Sequence, residues 1–184
     1  MMQEYPALPV ITVDDDIIYD RELVKRLMDS YRKFPDCISA MRTHLITFKS
    51  DGTPRSYENW VKEYNILKDT PSAQLLPVGV GSVLYPPHSV PECAFDKQGI
   101  EGSCLFCDDL WLKIMTLHNG YLTVLPEYVA DYQIIDGTQE NALWIMNVKA
   151  GNNDVSLRKI LSYYNKKLGD ADALLARIRR DRAL

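Results

Sequence analysis

Pro9-Val10-Ile11-Thr12-Val13-Asp14-Asp15-Asp16-Ile17-Ile18-Tyr19 is a short β-branched run that stops at three carboxylates and then turns apolar again. A run of this length predicts a strand over residues 9–13. Because apolar residues resume at once, the acids are not part of a solvated acidic patch. A buried strand ending in clustered acids places them at the carboxyl edge of an α/β sheet, where open sheets bind ligands. Crowded carboxylates repel one another unless a cation sits among them, and a hard divalent ion, Mn²⁺ or Mg²⁺, is the candidate. In an extended segment alternate side chains point the same way, so Asp14 and Asp16 share one ligand and Asp15 faces elsewhere. The competing account is a loop that caps the next helix. It suits Asp20 better than the triple acid, because burying several unpaired carboxylates is costly.

Working outward, Asp20 predicts the cap of a helix running to about Lys33, with Leu23, Val24, Leu27, Met28 and Tyr31 on one face. Residues 37–48 read as strand, Ser50-Asp51-Gly52 as a hairpin-type turn, and Tyr57, Trp60, Val61 and Tyr64 recur at helical spacing. Residues 75–85 read as a strand broken by Gly79 and Gly81. A strong helix is expected over about 108–118, ended by Asn119-Gly120 and followed by a short strand at 121–125. Residues 139–148 have a helical pattern, and helices over about 154–167 and 170–182 each begin at an aspartate, Asp154 or Asp170. There is no internal repeat, low-complexity segment or linker, so residues 1–184 read as one domain.

Chemistry concentrates at three places. The first is Asp14-Asp15-Asp16. The second is Asp108-Asp109, where a carboxylate can act as general base toward a hydroxyl; a plain complement to the helix dipole is the alternative. The third is Gly79-Val-Gly81, whose glycines allow a ligand to approach the backbone or mark a strand irregularity. His44 lies at strand alternation with Arg42, and His118 reads as a helix-face residue.

The 184 residues suffice for one core, and 46% apolar with 25% charged is ordinary for a globular chain. Net charge is −4 and the basic residues cluster only at Arg177, Arg179, Arg180 and Arg182, the polar face of a last helix, which argues against nucleic acid as partner. No apolar run has the length of a membrane span, and the N-terminus lacks a signal peptide's basic and apolar regions. Cys104-Leu-Phe-Cys107 has the spacing of a metal knuckle or redox pair, but no second pair follows. The four cysteines therefore read as free thiols in a reducing, cytoplasmic setting.

Three stretches together resemble a known family: Val10-Ile-Thr-Val-Asp-Asp-Asp-Ile-Ile-Tyr19, Gly79-Val-Gly-Ser-Val-Leu-Tyr-Pro-Pro87 and Asp108-Asp-Leu-Trp-Leu-Lys113. In order and spacing, roughly over residues 8 to 165, they are similar to bacterial glycosyltransferases of the GT-A fold, close to glycosyltransferase family two. The resemblance implies an α/β fold with a mixed sheet and flanking helices. It implies transfer of a sugar from a nucleotide-diphosphate donor, UDP- or GDP-type, to a hydroxyl of a glycan or lipid-linked acceptor. Asp14 and Asp16 would hold Mn²⁺ or Mg²⁺, with Asp14 and Asp15 at the donor diphosphate. Asp109 or Asp108 would be the base, and Gly79 and Gly81 would lie beside the donor and acceptor sugars. Gly137-Thr-Gln-Glu-Asn-Ala-Leu-Trp144 also looks like a family segment, without an assignable role.

The chain departs from the family in having little sequence before the acids. It is expected to be the C-terminal part of such an enzyme, without the first nucleotide-binding units. No histidine follows His118, where many relatives have one that completes the metal site. Missing strands would leave an open sheet edge, so self-association into a homo-oligomer is expected. Two rivals remain. An N-terminal strand ending in Asp-any-Asp also resembles the haloacid-dehalogenase phosphohydrolases, where the first aspartate is a nucleophile. Alternatively the chain is a fragment that no longer binds a donor.

Overall fold

The computed structural model describes residues 1–105, 107–129, 131–135 and 151–181. The opening run forms β1 (Val10–Thr12), the edge strand of a four-stranded sheet ordered β1-β6-β3-β7. Here β3 is Cys37–Ala40, β6 is Val83–Tyr85 and β7 is Leu122–Val124. β6 runs antiparallel to both β1 and β3, while β7 runs parallel to β3. The fold is α/β, a mixed sheet with flanking helices.

Register decides what meets at the sheet's edge. Thr12 and Ala40 both pair with Val83, and Ser39 pairs with Val124. The carboxyl ends of β1, β3 and β7 and the amino end of β6 therefore share one edge. The chain leaves β1 there through Asp14-Asp15-Asp16 and enters β2 (Ile17–Tyr19), which pairs with β8 (Tyr132–Ile134) in a separate ribbon. A second ribbon joins β4 (Thr43–Leu45) to β5 (Leu75–Pro77).

β3 and β6 are buried at every position, as strands covered on both faces must be. Their side chains alternate between two faces. Leu84 packs on Leu23 and Leu27 of α1 (Leu23–Lys33). Ile38, Ala40, Val83 and Tyr85 form the opposite cluster, against Leu112 of α3 (Asp108–His118). The largest cluster joins α3 to β5 and to α4 (Asn152–Lys167) and α5 (Ala171–Arg180). Trp111 belongs to that core, its Nε1 donating to the Ala94 carbonyl at 2.9 Å. Asn119 and Gly120 stop α3, with Gly120 at φ +96°. Arg177 donates to the carbonyl of Leu117 at 3.1 Å, so one of the C-terminal arginines caps α3.

Several expectations need correction. Asp20 does not cap a helix directly. Its Oδ1 accepts the Glu22 N–H at 2.8 Å, α1 begins at Leu23, and Val24 is 57% exposed. Residues 56–64 hold only a 3₁₀ turn, Tyr57–Asn59, because the chain beyond it pairs with β4: Val61 bridges Leu45, and the Tyr64 N–H donates to the Thr43 carbonyl. Trp60 and Tyr64 are consequently buried and Val61 exposed, so long-range pairing overrides the helical spacing. Asp154 does not start α4, which begins at Asn152; its carboxylate accepts the Tyr57 N–H at 2.8 Å. The helix α2 (Lys97–Ser103), capped by Asp96, has no strong sequence signal because two of its seven residues are glycine. Gly99 is needed there, since a Cβ would stand 2.7 Å from the Tyr163 ring. The four cysteines are free, with Cys104 and Cys107 both buried. The pattern at 139–148, the segment Gly137–Trp144 and Arg182 lie outside the described residues. Among the described residues no helix is long and apolar enough to cross a membrane.

Lys113 is 2% exposed, its Nζ 3.1 Å from the Thr123 hydroxyl. Burial pushes its ammonium down from 10.5 to about 7. Between those two values the unfolded chain binds a proton that the folded chain has released. Stability therefore rises with pH across that window, by up to about 1.4 kcal/mol per unit. Denaturant melts from pH 7 to 10 should show this slope, and Lys113→Met should remove it.

Candidate functional site

The shared edge is built from four segments. The first is the joint between β1 and β2. Thr12 and Ser82 lash β1 to β6, the Ser82 hydroxyl donating to the Thr12 carbonyl at 2.8 Å. Beyond Thr12, the Asp14 N–H donates to the Tyr19 hydroxyl at 3.0 Å, and that hydroxyl donates to the Val80 carbonyl at 3.1 Å. Tyr19 thus fixes the triple acid over the second segment, the 3₁₀ turn Gly79–Gly81 that precedes β6.

The third segment is the first turn of α3, which carries Asp108 and Asp109. Asp109 Oδ1 accepts the Gly79 N–H at 3.0 Å. A Cβ on Gly79 would lie 3.1 Å from that oxygen, so glycine permits the approach. The fourth is Arg42, just past β3. A Cβ on Gly81 would come within 2.4 Å of the Arg42 Cβ, so Gly81 too is fixed by close packing. What the two glycines meet in this structure is Asp109 and Arg42.

Electrostatics joins these segments. Asp109 is densely enclosed yet keeps partial solvent contact. Burial pushes its carboxyl up to about 8, with the charges of Asp108 and Asp14 adding to the effect. The Gly79 N–H and Arg42 oppose the rise without cancelling it. Asp14, though exposed at the surface, is also raised, by partial desolvation and then by Asp16, Asp108 and Asp15 in that order. Tyr57 is pushed up to about 12 and Tyr85 higher still, mainly by burial, with Asp109 contributing to both. Both phenols therefore keep their protons around this carboxyl.

Of the residues expected to act together, the structure brings Asp14, Asp16, Asp108, Asp109 and Gly79 to one edge. The alternation argument within the acids does not apply. Asp15 and Asp16 form a turn between the two strands rather than an extended segment. Asp16 still acts on Asp14 more strongly than Asp15 does, although Asp14 and Asp15 are both exposed. Among the described residues no group of three or more His, Cys, Asp or Glu side chains is arranged to hold a metal ion. A donor set of one or two carboxylates fits Mg²⁺ or Mn²⁺ when phosphate oxygens and waters fill the remaining positions. The net repulsion felt by Asp14 is what a divalent cation would relieve.

Neither His44 nor His118 joins the site. His44 is buried, accepts the Glu63 N–H at its Nδ1, and is pushed down to about 4 by burial. His118 meets the Tyr164 hydroxyl at 2.9 Å. Sequence reasoning placed Arg42 only on a strand face and assigned nothing to Tyr132 and Glu63. Arg42 donates to the Tyr132 hydroxyl at 2.8 Å and to Glu63 at 2.7 Å. An arginine between buried Met41 and Thr43 was the available signal, since a cation there needs partners. Arg42 also lines a cavity of about 240 Å³. Compared with known proteins, the chain matches no family model, no curated protein and no solved structure.

Two outcomes follow from this geometry. Folded Asp109 holds a proton between 3.8 and about 8 that the unfolded chain has released. Its contribution to stability is full below that window and is lost as pH rises through it. Asp109→Asn keeps an oxygen for the Gly79 N–H, so melts should show higher stability at pH 8 and a flatter profile from pH 4 to 8. Gly81→Ala must displace the Arg42 backbone, at a cost of about 1–3 kcal/mol, measurable as a fall in the denaturant midpoint without a change of slope.

Proposed function

We propose that this chain carries the catalytic edge of a GT-A-type glycosyltransferase resembling family two, which moves a sugar from a UDP- or GDP-type donor to a hydroxyl of a glycan or lipid-linked acceptor on the cytoplasmic side. The observation that carries the reading is Asp109: a carboxyl held by a backbone N–H, enclosed, raised to about 8, and set in the same electrostatic cluster as the triple acid. A general base works best with a pKa near the working pH. Asp109 would accept the proton of the acceptor hydroxyl, and the Gly79 N–H would keep its carboxyl oriented as charge changes. Asp108 would tune that basicity through its charge.

Asp14 and Asp16 would hold a divalent ion, which when bound supplies charge neutralisation at the leaving diphosphate. Tyr19 positions Asp14 by gripping its N–H and the Val80 carbonyl together. The open side of this edge is where an α/β sheet receives its ligand.

Calorimetry tests the first half. UDP or GDP should bind in the presence of Mn²⁺ and not without it, and Asp16→Asn should weaken that binding. No binding of either nucleotide would overturn the reading. A beryllofluoride-trapped aspartyl-phosphate would favour the phosphohydrolase instead. For the second half, in an enzyme that carries this segment and transfers sugar, Asp109→Asn should slow transfer by about 10²–10⁴ while nucleotide binding is kept. Loss of both in proportion would make Asp109 a donor-site residue.

A further inference from the structure

We propose that the cavity behind Arg42 is a subsite for one neutral pyranose ring, the acceptor's sugar on the transferase reading above. The cavity measures about 240 Å³, somewhat below the about 300–1,000 Å³ of pockets for larger ligands, so it suits a single ring. Its wall is part apolar, from Met41, Leu125 and Val129, and part polar, from Arg42, Glu63 and Asp131. A pyranose has the same division, with C–H groups on its faces and hydroxyls around its rim.

The charges decide between a neutral and an anionic occupant. One guanidinium faces two carboxylates across the lining. The terminal nitrogens of Arg42 are already engaged, Nη1 by the Tyr132 hydroxyl at 2.8 Å and Nη2 by Glu63 at 2.7 Å. Each of these nitrogens keeps one further N–H, so what disfavours an anion is the charge balance of the lining, one guanidinium against two carboxylates. An anion entering here would meet Glu63 and Asp131 as well as an Arg42 whose charge Glu63 already pairs. A hydroxyl, by contrast, can donate to a carboxylate and accept from an N–H. The polar network is also incomplete: Arg42 Nε is buried and lacks an acceptor among the described residues, which calls for an explanation. A small shift of Arg42 toward an occupant would supply one.

The cavity is also tied to the edge that bears Asp109. Arg42 packs against Gly81, and its charge acts on Asp109. Tyr132, which also lines the cavity, pairs in register with Tyr19, the residue that holds Asp14. An occupant therefore sits against Arg42 and Tyr132, which are the neighbours of the two segments that position the carboxylates.

The test is an amide NMR titration of the full chain with methyl glucoside, galactoside and mannoside, and with methyl glucuronide as the anionic control. At least one neutral glycoside should give saturable shifts at Thr43, Glu63, Asn65 and Tyr132, and bind about tenfold or more tighter than the glucuronide. Asn65→Trp, at an exposed position on the cavity lining, should weaken that binding by about tenfold or more. No shift at these amides with any neutral glycoside would overturn the proposal. So would tighter binding of the glucuronide. UDP or GDP with Mn²⁺, read at Asp14, Asp16 and Gly79, tests the transferase reading separately. Sugar binding without nucleotide binding would leave a carbohydrate site and remove the transferase. Nucleotide binding without sugar binding would remove the subsite alone.

Discussion

The hydrogen bond from the Gly79 N–H to Asp109 Oδ1 joins the first turn of α3 to the turn that feeds β6. Sheet register brings both partners to the edge, but only this bond keeps a carboxyl beneath it. Two forces act on that carboxyl in opposite directions. Enclosure and the neighbouring acids favour the protonated form, while the N–H and the Arg42 guanidinium favour the charged one. Enclosure wins, leaving a carboxyl that changes charge near neutral pH rather than near pH 4. The two glycines permit the close approach of Asp109 and Arg42 on which this balance depends.

Elsewhere in the fold buried polar groups are handled one partner at a time. The Ser30 and Ser39 hydroxyls face each other at 2.8 Å between α1 and β3. The Asn153 carbonyl oxygen accepts from the Cys107 thiol at 3.0 Å. Such pairs leave little polar capacity unspent and mainly set how elements seat on each other. The edge is different in kind. Aspartates crowd there, the Arg42 charge acts on Asp109, and the Arg42 Nε lacks an acceptor among the described residues. A polar network left incomplete beside a cavity is the contrast that separates a site from a core.

Elements with a strong local period were legible in the amino-acid order. The helix expected over 108–118 spans Asp108–His118, because apolar residues recur at helical spacing and Asn119-Gly120 ends it. β1 and the acids after it were legible for the same local reason. What could not be read depends on pairing across long stretches of chain. Tyr132 reaches Arg42 from ninety residues away, and residues 60–64 abandon a helical pattern because β4 offers them partners. The carboxylates at the edge could be named individually from the sequence. Their convergence needed the antiparallel step between β1 and β6, which no local pattern encodes.

β1 also bears on how the molecule behaves in a crowd. Among the described residues it has a sheet neighbour on one side only, is three residues long, and is followed after Val13 by Asp14, Asp15 and Asp16. An exposed strand edge is a template for adding strands from other molecules, and short length with adjacent charge is how such edges are kept single. The acid triplet therefore has a second physical effect: it discourages end-on strand addition, a gatekeeping role independent of any ligand. Removing charge from this joint weakens that protection and brings the chain closer to edge-to-edge aggregation.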